Sequence, residues 1–189
     1  CLFIAPEAHI LLVDDNELNL VVAKELLKPL RMQIDTAENG LQAVKMVRGS
    51  QYDLVLMDHM MPVMDGIEAA KAIRALPEDK YQKLPIIALT ANAMVDARKE
   101  FLNAGMNGFV AKPIDFARIC NQLKLWLPKD LVRDVPKEEA KKLLADDLSD
   151  REIQPEDPQM GFSFEEGVKH CGSKAALMKT IRIFYRTID

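Results

Sequence analysis

Four apolar runs in this chain, HILLV, LVLM, PIIAL and GFVA, each end within a residue of a side chain with chemistry to offer. Asp14 and Asp15 follow the first, Asp58 the second, Thr90 the third and Lys112 the fourth. A weaker run, Gln33–Ala37, lies between the first two. Runs this short and this continuously apolar suit strands buried on both faces of a parallel sheet. The segments between them carry helical spacing, as in Leu18, Val21, Val22, Glu25 and Leu26. Strands that alternate with helices over short connections fold into a doubly wound α/β sheet. The carboxyl ends of parallel strands share one edge, where open α/β sheets bind ligands. Asp14, Asp15, Asp58, Thr90 and Lys112 therefore converge in one crevice.

The boundaries follow from local signals. Strands are expected at His9–Val13, Gln33–Ala37, Asp53–Met57, Pro85–Leu89 and Gly108–Ala111. Helices are expected at Asn16–Leu27, closed by Pro29, and from Asn39 through Val47, where Asn39 and Gln42 form a capping-box pattern. Asp65 with Glu68 caps a third helix, Met94–Asn103 is a fourth, and Phe116–Leu127 is a fifth, ended by Pro128.

Three carboxylates at one sheet edge repel one another and hold their protons unless a cation sits among them. Mg²⁺ suits the set: it is hard and octahedral, and is content with one or two carboxylates, waters and a phosphate oxygen. Lys112 and Thr90 add an ammonium and a hydroxyl, which match the equatorial oxygens of a phosphoryl group. His59 adjoins Asp58, but neighbouring side chains on a strand point to opposite faces, which argues against a shared role.

With these residues in place, roughly Ala8 to Lys129 resembles the receiver domain of two-component response regulators, the chemotaxis-receiver type. The resemblance implies a flavodoxin-like, five-stranded parallel sheet of order 2-1-3-4-5 with five helices. It implies that Asp58 is the phosphoacceptor for a phosphohistidine of a histidine kinase or phosphotransfer (HPt) domain. In that pattern Asp15, Asp58 and the backbone carbonyl of Met60 ligate Mg²⁺ (or Mn²⁺), and Asp14 acts through water. Thr90 and Lys112 contact the phosphoryl group, and the Lys112–Pro113 bond is cis. Thr90 and Phe109 form the switch that alters the face built from the fourth helix, the fifth strand and the fifth helix.

The rest of the sequence reads differently. Residues 1–7 are expected to be a leader from upstream sequence, 8–129 the receiver, and 130–160 a linker with ten acidic and five basic residues between Asp130 and Gln159. Residues 161–189 resemble the opening helices of an HPt domain, a C-terminal helical extension. They lack the H-x-L-K-G context of its phosphorylated histidine. This order implies a hybrid sensor histidine kinase as parent, and whether the chain is itself an enzyme stays open.

The net charge of −4 gives no general attraction to nucleic acid or to anionic membrane. No apolar run reaches the roughly 20 residues of a membrane-spanning helix. Three cysteines without ligand spacing suggest a reducing, cytoplasmic setting, with any membrane anchor of the parent upstream. Self-association into a homodimer is left open.

Three rival readings differ from this one at particular residues. A haloacid-dehalogenase-type Mg²⁺ phosphatase also uses a strand-end Asp, but needs a second Asp where Met60 stands. A dinucleotide-binding domain needs G-x-G-x-x-G after a strand, and none occurs. A stand-alone or DNA-binding response regulator would share the receiver, but the acidic tail offers no basic recognition helix.

Overall fold

The computed structural model describes residues 3–91 and 95–136. Five parallel strands form the main sheet: β2 (His9–Val13), β3 (Gln33–Ala37), β4 (Leu54–Asp58), β5 (Ile86–Thr90) and β6 (Gly108–Ala111). Their spatial order is β3-β2-β4-β5-β6, which is 2-1-3-4-5 counted along this sheet. Of the three inner strands, β4 and β5 are buried along their whole length, as their apolar sequences require, and β2 at every residue but His9.

Helices α1 (Glu17–Leu27), α2 (Gly40–Gly49), α3 (Gly66–Arg74), α5 (Val95–Asn103) and α6 (Phe116–Trp126) make the crossovers. A short helix, α4 (Asp79–Lys83), is added to the expected five. Asn16, Asn39, Asp65 and Asp115 each cap a helix through a side-chain oxygen. At Asp65 both arms of the capping box close, because the Asp65 N–H donates to Glu68 and the Glu68 N–H to Asp65. At Asn39 only the forward arm does, since Gln42 accepts from the N–H of Glu38 instead. Pro29 ends α1 within a 3-10 turn, Lys28–Leu30.

Two short strands lie outside the main sheet: β1 (Phe3–Ile4) pairs antiparallel with β7 (Arg133–Asp134). The HPt-like segment and most of the acidic linker lie outside the described residues. No helix among the described residues is long and apolar enough to cross a membrane.

Two features fix the loop after β4. Gly66 sits where an added Cβ would meet the Asp58 carbonyl oxygen at 2.2 Å, so only glycine lets α3 start against β4. Val63 takes φ 71°, and the Met64 N–H donates to the Pro62 carbonyl at 2.8 Å. That is a γ-turn, an uncommon conformation for a β-branched residue.

Candidate phosphoryl site at the carboxyl edge of the sheet

Asp58 is the last residue of β4 and Thr90 the last of β5, and the ladder pairs Asp58 with Leu89 and Thr90 with Ala111. Asp14 and Asp15 follow β2, and Lys112 follows β6. The topology thus brings together all five residues that the apolar runs singled out. Ligand oxygens of Asp14, Asp15 and Asp58 lie within 4.8 Å of one another, the one such group among the described residues. Asp14, Asp58 and Thr90 are buried, whereas Asp15 is exposed.

The Lys112 ammonium donates to Asp14 Oδ2 at 2.6 Å and to Asp58 Oδ2 at 2.7 Å. Its backbone N–H donates to the Thr90 carbonyl at 2.7 Å, and the Lys112–Pro113 bond is cis. Asp14 Oδ1 accepts from the Asn16 N–H at 3.0 Å and from Asn19 Nδ2 at 2.9 Å. Both Asp14 oxygens are therefore engaged by protein donors. Asn19 carries no motif of its own, and its place on the first turn of α1 after the Asp pair is the signal that points to it. The Met60 N–H donates to Asp58 Oδ1 at 3.4 Å, and the Met60 side chain is 70% exposed.

Burial pushes the Asp58 carboxyl above its ordinary pKa, against the pull of the Lys112 ammonium. Burial pulls Lys112 down, but its hydrogen bonds to Asp14 and Asp58 outweigh that and leave it raised. Both shifts point the same way: three carboxylates face one ammonium, and the site favours added positive charge. Its donors are hard oxygens, one on an exposed side chain, which fits a small divalent cation that keeps several waters.

His59 takes no part in this cluster's hydrogen bonds. Its ring stands edge-on to Phe101 with centroids 5.5 Å apart, and its buried Nδ1 has no partner among the described residues. Phe109 lies on β6 opposite Ala88, partly buried against the core cluster that contains Phe101 and Met106.

The model of the response regulator receiver domain matches residues 10–124. The chain belongs to the response regulator receiver family. The sensor protein GacS of Pseudomonas syringae pv. syringae is 37% identical over 170 residues, covering 89% of this chain but 18% of that protein. Among solved structures, the receiver domain of the sensor histidine kinase PA1611 from Pseudomonas aeruginosa PAO1, with magnesium in its active site cleft, is 40% identical. That match has a TM-score of 0.58 and covers 63% of this chain and 96% of that one. The receiver domain of Saccharomyces cerevisiae Ssk1, solved with the histidine phosphotransfer protein Ypd1, is 27% identical. Its TM-score is 0.59, with 65% and 90% covered. As a receiver domain, the chain is a phosphoacceptor module of a phosphorelay. The chain spans under a fifth of the curated relatives it matches, 16% and 18% in two of them.

Proposed function

We propose that Asp58 is the phosphoacceptor of this receiver and takes its phosphoryl group from a phosphohistidine. The observation that carries this reading is the Lys112 ammonium held on both Asp14 and Asp58, with Thr90 on the adjoining strand end. An Asp58 carboxylate oxygen attacks phosphorus, the N–P bond of the donor breaks, its electron pair leaves with the imidazole, and an acyl phosphate remains. Lys112 and Thr90 are placed to hold equatorial oxygens as charge redistributes, which is most of what phosphoryl transfer asks of a protein.

Asp15, Asp58 and the Met60 carbonyl would hold Mg²⁺, or Mn²⁺, with Asp14 acting through water because its own oxygens already accept from Asn16, Asn19 and Lys112. When bound, the ion supplies positive charge that offsets the carboxylates and the incoming phosphoryl oxygens. Thr90 and Phe109 are assigned to the switch. The donor is the phosphohistidine of a histidine kinase or HPt protein, as Ypd1 partners the related Ssk1 receiver. The similarity to the sensor protein GacS and to the receiver of the PA1611 sensor histidine kinase supports a sensor kinase as parent, which we read as a hybrid sensor histidine kinase whose receiver works in the cytoplasm.

The test is incubation with acetyl phosphate and Mg²⁺ followed by intact mass. One phosphoryl group is expected on the wild-type chain. Asp58→Asn or a chelator should abolish it, and incorporation that survives Asp58→Asn would refute the assignment.

A further inference from the structure

The residues that flank the receiver pattern are built into its fold. Phe3 pairs with Asp134 and Ile4 with Arg133, which joins the segment ahead of β2 to the segment after α6. Phe3, Ala5 and Ala8 have no exposed surface, and the Ala5 N–H donates to the Leu30 carbonyl at 2.8 Å. On the other side a tight turn leads from α6 into β7. Leu127 is buried, the Leu131 N–H donates to Pro128 O at 3.1 Å, and the Val132 N–H to Lys129 O at 3.4 Å. Lys124 of α6 also pairs with Asp134, and Arg133 with Glu7 at 2.7 Å.

Helix α6 spans the distance between this ribbon and the acidic site. Its N-cap, Asp115, comes three residues after Lys112, and its last residues lead into the turn before β7. Eleven helical residues rise about 16 Å, close to the length of a five-residue strand, so α6 runs from one edge of the sheet to the other. The ribbon lies beside Leu30 and the start of β2, at the edge away from Asp58.

We propose that the β1/β7 ribbon is a coupling element whose pairing is linked, through α6, to the state of the acidic site. The inference rests on the phosphoacceptor reading above. Lys112 now divides its ammonium between Asp14 and Asp58. A phosphoryl group on Asp58 offers that ammonium new acceptors, and any shift of residues 112–115 enters α6 as a rigid displacement. At the far end the turn and the packing of Phe3 resist sliding, so the ribbon must follow or loosen. The Lys124–Asp134 pair is exposed and contributes little by itself. Coupling therefore travels through the turn and the buried Phe3. Linkage makes the effect reciprocal: what weakens the ribbon alters the affinity of the site for its ligand.

The experiment uses the full 189-residue chain with Mg²⁺, with and without beryllofluoride as the acyl-phosphate mimic. Amide exchange at Phe3, Ile4, Arg133 and Asp134 should change by about fivefold when beryllofluoride binds. Phe3→Ala should shift the half-saturating beryllofluoride concentration by a similar factor, and Asp134→Ala by less. Should Phe3→Ala fail to fold, the wild-type exchange data and the exposed Asp134→Ala variant still decide. Beryllofluoride bound at Asp58 with the ribbon amides unmoved overturns the coupling alone. A chain that binds none at Asp58 overturns the phosphoacceptor reading and this inference together.

Discussion

Ninety-eight residues of chain separate Asp14 from Lys112, yet the Lys112 ammonium donates to the Asp14 carboxylate at 2.6 Å. The contact exists because β2 and β6 deliver both residues to the same edge of one parallel sheet. It also makes Lys112 a built-in counter-charge, since it touches Asp58 at 2.7 Å as well.

Lys112→Met removes that counter-charge and leaves two buried carboxylates without it. Breaking a buried pair from one side costs about 3–5 kcal/mol. Here Lys112 keeps some access to water and Asp58 can take up a proton, so a loss on the order of 2 kcal/mol is expected in chelator at neutral pH. Mg²⁺ should restore most of it, because a divalent cation supplies the same charge. Urea unfolding with and without Mg²⁺ checks this, and an identical loss in both conditions would count against shared electrostatics.

At Met60 the expected effect is on a different property, the lifetime of the phosphoryl group. Its side chain is 70% exposed while its N–H donates to Asp58 Oδ1, so it stands at the mouth of the site. A thioether cannot orient an attacking water, whereas an amide can. Met60→Asn is expected to speed loss of the phosphoryl group about tenfold, or roughly 1.4 kcal/mol of barrier. Decay of the phosphorylated chain followed by intact mass measures it, and unchanged or slower decay would show that Met60 does not restrain water.

The site was more legible than its supports. The five key side chains are legible because each ends or follows an apolar run, and β2, β3 and β6 have the bounds that the pattern gives them. β4 and β5 begin one residue later than the pattern suggested and extend through Asp58 and Thr90, because ladder pairing, not hydrophobicity, sets their ends. Asp53 instead spends its carboxylate on the His9 N–H at 2.8 Å. β1 and β7 have two residues each, too few for any period to register. Helix α4 is mostly polar and is held by the burial of Tyr81. The Arg74 guanidinium was equally invisible: it donates to the carbonyls of Leu84 and Gly105 and to Asn107, a set of neutral acceptors far apart in sequence.

Val63 offers a stabilising substitution. A β-branched residue at φ 71° is strained, and its side chain is 80% exposed, so little packing is lost by removing it. Relief of about 1–3 kcal/mol, less roughly 0.5–1 kcal/mol for the added freedom of the unfolded chain, leaves Val63→Gly about 1 kcal/mol more stable. Thermal unfolding of both chains tests this. A lower midpoint would mean that Val63 makes contacts that outweigh its backbone strain.

At the opposite edge of the sheet, Tyr52 and His9 share one acceptor. The Tyr52 hydroxyl donates to Asp35 Oδ2 at 2.7 Å, and His9 Nε2 lies 3.0 Å from the same oxygen. The Tyr52 hydrogen bond, more than His9, holds the Asp35 carboxyl below its ordinary 3.8, while burial and then Asp35 push Tyr52 up to about 12. A lowered carboxylate contributes stability above its unfolded pKa, and that contribution fades as pH falls through the folded value. A raised phenol contributes below its ordinary 10.0, and that contribution fades as pH rises through about 12. Tyr52→Phe removes the phenol's dependence and weakens that of Asp35, which His9 still lowers. Its stability should fall less steeply than wild type in acid and in strong alkali, and the Asp35 carboxyl should titrate nearer its ordinary value. Carbon-13 NMR of Asp35 and urea unfolding across pH provide the measurements, with His9→Ala as the weaker variant. An Asp35 titration that does not move in Tyr52→Phe would rule out the hydroxyl as the principal cause. Phosphorylation of Asp58 should be untouched, because His9 opens β2 and Tyr52 precedes β4, at the end of the strands away from Asp58.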